Sequence, residues 1–438
     1  MPYVPYLFLL LFGCGAVWLV RRRGTGFVAN AVFMLFAICA IWFLSLHSSG
    51  RGTPFGDFDK AYYPAGRLAI SEPARLYECG HPDGLCFVNI PFVALWFMPV
   101  AMLSLATAHI LVTLVSIASV AAVTWGLIVL TGAEGWRRYA VAAAVLLNGP
   151  LFYSVRLGNL THVVLVIVVV AVLLLIRGHD VRAGVLLALC TLVKPPLLIW
   201  MPYFFLRRRW HAALGMAACL LIAVAASLAW FGLDLHRVWF DQFVAASNAN
   251  AVGAYNVQSI NGFLVRLTTS GTLLNWRPVE VGWGFRIVQV VLSLAVITTA
   301  LVSGVAGGAP RTAAAALREY SILICAMLAL SPISWTHYYC FLLVPVASYL
   351  ANRIEVPRTT VWMTLVAASG VLVSLPVMLW VPSHPLYGAV IARILLSHYF
   401  FGCCLLLATF LAAALHWRLS VVSLRGQPAR PDFLSVQP

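Results

Sequence analysis

Residues 107–131 read TAHILVTLVSIASVAAVTWGLIVLT, and the chain then passes through GAEGWRR at 132–138. The first segment holds no Asp, Glu, Lys or Arg and exceeds the roughly 20 apolar residues that cross a bilayer as a helix. The second ends in Arg137-Arg138, the kind of cationic pair that stays on the cytoplasmic side of a span. The same alternation recurs in both directions along the chain. Of the 438 residues 62% are hydrophobic and 9% charged, where soluble domains average about 25% charged. This composition excludes a soluble globule and predicts an all-α polytopic membrane protein.

The formal charge of +15 does not by itself indicate nucleic acid, and none is expected as a partner. Arg21-Arg22-Arg23, Arg137-Arg138, Arg177 with Arg182, Arg207-Arg208-Arg209, Arg311 with Arg318, Arg353 with Arg358, and Arg418 with Arg425 all fall in short polar gaps or the tail. They read as cytoplasmic topology signals. The apolar runs between them predict about thirteen spans. These lie near 3–20, 27–46, 107–131, 138–153, 160–176, 183–194, 196–206, 211–230, 284–303, 319–330, 338–351, 359–381 and 389–416. Residues 91–104 are apolar too, but a full crossing there would put Arg137-Arg138 outside, so an interfacial or re-entrant helix is expected. The chain thus reads as one integral membrane domain with an outer loop at 47–104, a second at 231–283 and a cytoplasmic tail at 417–438. The turns at Arg156–Leu160 and Ser331–His337 join those loops on the outer face.

The stretches 183–194 and 196–206 are each short and flank Lys194-Pro195-Pro196. Proline breaks a helix, which predicts a hairpin with Lys194 near its outer end. A single kinked span with a snorkelling lysine is the plainer alternative. Among ten cysteines, most read as packing, and no metal-ligand spacing is present. Cys79 and Cys86 share the outer loop and form a candidate disulfide.

Five of the chain's thirteen acids, Asp57, Asp59, Glu72, Glu78 and Asp83, crowd the loop 47–90 beside Phe55, Phe58, Tyr62, Tyr63 and Tyr77. A solvated loop needs acids but not this aromatic density, whereas rings and carboxylates together suit sugar recognition. Gln258, Ser259 and Asn261 supply neutral hydrogen-bonding groups in the second outer loop, although a plain turn explains them almost as well. His337, preceded by Trp335, sits in a short turn, where a packing role competes with a binding one.

In order along the chain, Asp57-Phe58, Tyr62-Tyr63, Ala65-Gly66, Leu76-Tyr77, Gly158-Asn159, Lys194-Pro195, Gln258-Ser259 with Asn261-Gly262 and Arg266, and Ser331-Pro332 with Ser334-Trp335 and His337 resemble glycosyltransferase family 87, of the GT-C class. The resemblance covers roughly residues 50–350. It departs at Asn159, where glutamine is common, at Ile90-Pro91 in place of Pro-Pro, and at Tyr338 in place of a second histidine. It implies a GT-C-like helical bundle in a bacterial inner (cytoplasmic) membrane with its site on the periplasmic or extracellular side. It also implies inverting transfer of a sugar, mannose or else arabinofuranose, from a polyprenyl-phosphate donor to a glycolipid or glycan acceptor. On that reading Asp57, with Asp59 as rival, is the general base. Lys194, Arg266 and His337 face the donor phosphate, and Tyr62, Tyr63, Asn159, Gln258, Ser259, Asn261 and Trp335 contact substrate. No cofactor or metal is expected. A transporter or flippase for lipid-linked substrates is the rival class, but it would place its ionisable groups within the spans.

Overall fold

The computed structural model describes residues 3–47, 53–78, 86–246, 250–268, 273–274, 276–305, 309–377 and 385–425. The chain is a multi-pass, almost wholly helical membrane protein. Seven described helices are long and apolar enough to cross a membrane, among them Val4–Arg23, Phe27–His47, Leu105–Thr131 and Ala313–Leu330. Side chains that would shun water, such as Phe27, Leu221, Ile222 and Trp283, lie more than two-thirds exposed on the bundle's outside, where lipid tails solvate them. No residue of the Trp283–Thr299 helix is buried.

Several expected spans are broken, each at a residue that explains the break. The run 138–153 divides into Trp136–Leu146 and Gly149–Arg156. Between them Asn148 leaves the helical region and accepts the Leu151 amide at 2.9 Å as an N-cap. The run 338–351 begins as a tight 3-10 turn, Thr336–Leu342, and becomes α-helical only at Leu343–Leu350. The segment 211–230 extends as Trp210–Trp239 but kinks at Gly232, whose φ of 74° suits glycine.

Lys194 ends the Asp180–Val193 helix, after which Pro195–Ile199 winds as a 3-10 turn into Trp200–Leu206. Arg209, beyond the second limb, bonds Asp180 at the start of the first. The segment is therefore a hairpin, and the kinked-span alternative is set aside. Its limbs match: 14 α-helical residues rise about 21 Å, and five 3-10 plus seven α-helical residues about 20 Å.

Asp180–Val193 has a partner arrangement in two neighbours. Thr161–Ile176 and Ala313–Leu330 likewise carry a polar turn at one end and an arginine-bearing turn at the other. The polar ends gather four segments. Phe55 and Asp57 donate their amides to the carbonyls of Arg156 and Leu157, at 2.8 and 3.1 Å. Gln258 donates its amide to Ser334 at 2.6 Å, Thr336 donates to Asn256 at 2.8 Å, and Val257 bridges Trp335. A two-stranded ribbon, Asn250–Ala251 against Val279–Glu280, ties the second loop to itself.

The first loop is more regular than its composition implied. From Phe58 it winds as a π-turn into the Tyr63–Ser71 helix, which lies on the Pro91–Ala101 helix. Gly66 permits the contact, because a Cβ there would stand 2.6 Å from the Phe97 carbonyl.

Candidate active site

Asn159 organises the polar end of the bundle. It follows Gly158, whose φ is 62° and where a Cβ would collide with Phe58 at 2.7 Å, so the turn brings the 55–58 backbone against 156–158. The Asn159 Oδ1 accepts from the Thr161 amide at 3.0 Å and hydroxyl at 2.7 Å, a self-made Asx turn, and from Lys194 Nζ at 3.1 Å. Three donors on Oδ1 fix the amide's orientation. Its Nδ2 then donates to Asp57 Oδ2 at 2.6 Å and to the Tyr62 hydroxyl at 3.3 Å. A carboxylate and an ammonium from distant segments are thus held by the two ends of one amide.

Lys194 is buried and its Nζ lies 4.5 Å from the centroid of the Tyr338 ring, a cation-π contact that partly replaces lost water. Tyr62 is buried and stacks on Phe97 at 4.6 Å. Burial pushes the Asp57 carboxyl up from the ordinary carboxylate range, opposed by the Asn159 hydrogen bond and the charges of Lys194 and Lys60. His337 is 4% exposed, and neither ring nitrogen has a hydrogen-bond partner among the described residues. A neutral imidazole in that position has one N–H to give. Tyr153 contacts the His337 ring at 6.2 Å, and its hydroxyl lies 3.4 Å from that of Tyr255. A buried polar ring without a partner is costly, and a ligand oxygen there would satisfy it.

The other residues singled out from sequence are placed differently. Asp59 turns to His109, whose Nε2 is 2.6 Å from its Oδ1, and Phe55 stacks on that imidazole at 4.1 Å. Tyr63 donates its hydroxyl to the Leu103 carbonyl at 2.8 Å. Arg266 is buried, donating to the carbonyls of Ala254 and Val257 at 2.9 and 2.7 Å and to Ser397 Oγ at 2.9 Å. Its guanidinium holds the second loop together, and none of these partners belongs to the Asp57 cluster. Gln258 spends its side chain on the Tyr255 and Leu396 carbonyls and the Phe400 amide. Ser259 accepts the Gly262 amide at 3.3 Å. Asn261 is buried at the start of the Ile260–Thr268 helix, and Trp335 packs partly buried beside Val257. Cys86 is disulfide-bonded, and Cys79 lies outside the described residues. No group of three or more His, Cys, Asp or Glu placed to hold a metal occurs among the described residues.

Sequence reasoning missed His109, His162, Tyr153 and Tyr338. His162 lies against Ser154 Oγ at 3.0 Å and next to the Asn159 turn. The Asn159-Leu160-Thr161 triplet was the available signal: its spacing is that of a side chain capping its own turn.

A model of glycosyltransferase family 87 matches residues 87–332, more than half of the chain. The matched segment includes Asn159 and Lys194 but begins after Asp57 and ends before His337. A polyprenol-phosphate-mannose-dependent alpha-(1-2)-phosphatidylinositol mannoside mannosyltransferase of Mycolicibacterium smegmatis is 29% identical over 82% of this chain and 83% of its own. Its namesake from Mycobacterium tuberculosis is 24% identical over 84% and 81%. A polyprenol-phosphate-mannose-dependent alpha-(1-2)-phosphatidylinositol pentamannoside mannosyltransferase of Mycolicibacterium smegmatis is 26% identical over 67% and 69%. Among solved structures, ArnT from Cupriavidus metallidurans in the apo state overlaps 90% of this chain and 79% of its own. The TM-score is 0.39 at 14% identity, too loose an overlap to bear on the site.

Proposed function

Because the chain belongs to glycosyltransferase family 87, of the GT-C class, we propose that it transfers mannose from a polyprenyl-phosphate donor to a glycolipid acceptor, with inversion, on the outer face of the membrane. The donor and the phosphatidylinositol-mannoside type of acceptor follow the names of its relatives. The observation that carries the reading is the Asp57–Asn159–Lys194 bridge, with the His337 ring, which has no hydrogen-bond partner among the described residues, beside it.

Asp57 takes the proton of the acceptor hydroxyl as its oxygen bonds to the anomeric carbon, and the bond from that carbon to the lipid phosphate breaks on the opposite face. The departing phosphate gains charge. Lys194 and a His337 N–H, already desolvated, stabilise that charge more in the transition state than in the ground state. Asn159 keeps base and cation at a fixed separation, and Tyr62 walls the acid side. Gln258 and Arg266, whose polar atoms have partners within the protein, are given structural roles on this reading rather than contacts to substrate and donor phosphate.

The test is incubation of purified protein in sealed proteoliposomes with polyprenyl-phosphate [14C]mannose and a membrane extract. Label should pass to a chloroform-soluble mannoside whose anomeric configuration is opposite to the donor's. Label remaining wholly on the donor while it moves between vesicle leaflets would replace transfer by transport.

A further inference from the structure

At the end of the bundle opposite Asp57, where the Thr161–Ile176 helix stops and Ala313–Leu330 starts, lies a cavity of about 330 Å³. Tyr203, Arg207, Arg209, Arg311 and Tyr320 line it together with apolar Leu175, Ile176 and Pro310, and no carboxylate is among its lining residues. The acids stand behind the arginines. Glu319 takes Arg207 Nε at 2.9 Å and the Tyr203 hydroxyl at 3.0 Å, and Asp180 takes Arg209 Nε at 3.1 Å. Arg209 also donates to the Tyr320 oxygen at 2.5 Å, which leaves that phenol's proton to be donated elsewhere. Two cations are thereby neutralised and held rigid, while Arg311, exposed, has no acidic partner among the described residues.

This wall offers preset donors and one uncompensated positive charge, with apolar surface alongside. Planar guanidinium groups pair with phosphate oxygens, and basic pockets between membrane helices suit lipid headgroups. We propose that the cavity is a phosphate-binding site, for a phosphate carried by an anionic lipid headgroup or free in solution. It does not rest on the transferase reading, whose residues lie at the other end of the bundle.

The experiment is native mass spectrometry of the delipidated full-length protein with dioleoylphosphatidylglycerol, dioleoylphosphatidylcholine and inorganic phosphate in turn. Phosphatidylglycerol or phosphate should bind the parent about tenfold more tightly than Arg311→Gln, the loss expected for one charged hydrogen bond to phosphate. Arg311→Lys should recover much of it, and melting temperatures should agree because the side chain is exposed. Phosphatidylglycerol that millimolar phosphate fails to displace assigns the site to a headgroup, and displacement assigns it to the free anion. Equal binding to parent and Arg311→Gln in both arms, or no binding in either, overturns the proposal.

Discussion

Asn159 donates to Asp57 at 2.6 Å with the same amide whose oxygen receives Lys194 at 3.1 Å. The two charged groups are 137 positions apart in sequence by their numbers, and among the described residues this side chain joins them through hydrogen bonds. Replacing it with Leu removes both bonds while keeping the size. Transfer should fall by roughly one to two orders of magnitude through misplacement of the base and cation, as small displacements in an active site do. Donor binding by equilibrium dialysis should change far less than turnover.

Asp57→Asn keeps the hydrogen bond acceptor and removes the base, so turnover should fall about 10²- to 10⁴-fold. Asp59, paired with His109, serves as the control, and Asp59→Asn should keep most of its activity. Reversed phenotypes would transfer the base role to Asp59, and two active variants would end the carboxylate mechanism.

Lys194→Met should slow transfer on the order of a hundredfold, the cost of losing one cation at a departing phosphate. A methionine can fill the space over Tyr338, so the variant should fold and extract from membranes like the parent. Unchanged single-turnover rates would leave Lys194 a packing residue.

The pH profile has a definite sign. Asp57 works as a carboxylate, so activity is complete above its pKa and falls as pH drops through it. Burial raises that pKa, hence the acid limb of kcat/KM should lie above the roughly 3.9 of an ordinary aspartate. In Asp57→Asn the acid limb should vanish from the residual rate.

Arg266→Met makes the contrasting case. Its loss strips donors from two buried carbonyls and Ser397, a change worth about 3 kcal/mol. A lower melting temperature with kcat per folded molecule preserved is the expected result. A specific loss of kcat in a stably folded variant would return Arg266 to the phosphate.

The apolar runs and arginine gaps made the helical architecture legible, because bilayer thickness and charge retention act locally on the sequence. Lys194-Pro195-Pro196 marked its hairpin for the same reason. The site was legible only in part. Asp59 differs from Asp57 through His109, a contact 50 positions away, and no local pattern announces it. Arg266 looked like a ligand-seeking cation, yet backbone carbonyls, which carry no signature in side-chain identity, consume its donors. The break at Asn148 escaped a hydropathy reading because its neighbours on both sides remain apolar.

The hairpin of Asp180–Val193 and Pro195–Leu206 rises only about 20 Å, against a hydrocarbon slab of about 30 Å. On the proposed topology, which sets Arg207 and Arg209 at the cytoplasmic interface, its tip stops short of the other. On that topology Lys194 lies about a third of the slab's depth beneath the far headgroups. An amphiphile whose polar group must meet that ammonium gains nothing by rising into water. On the proposed function it would arrive sideways through the leaflet, its chain never leaving oil, while the protein carries its polar chemistry down to meet it.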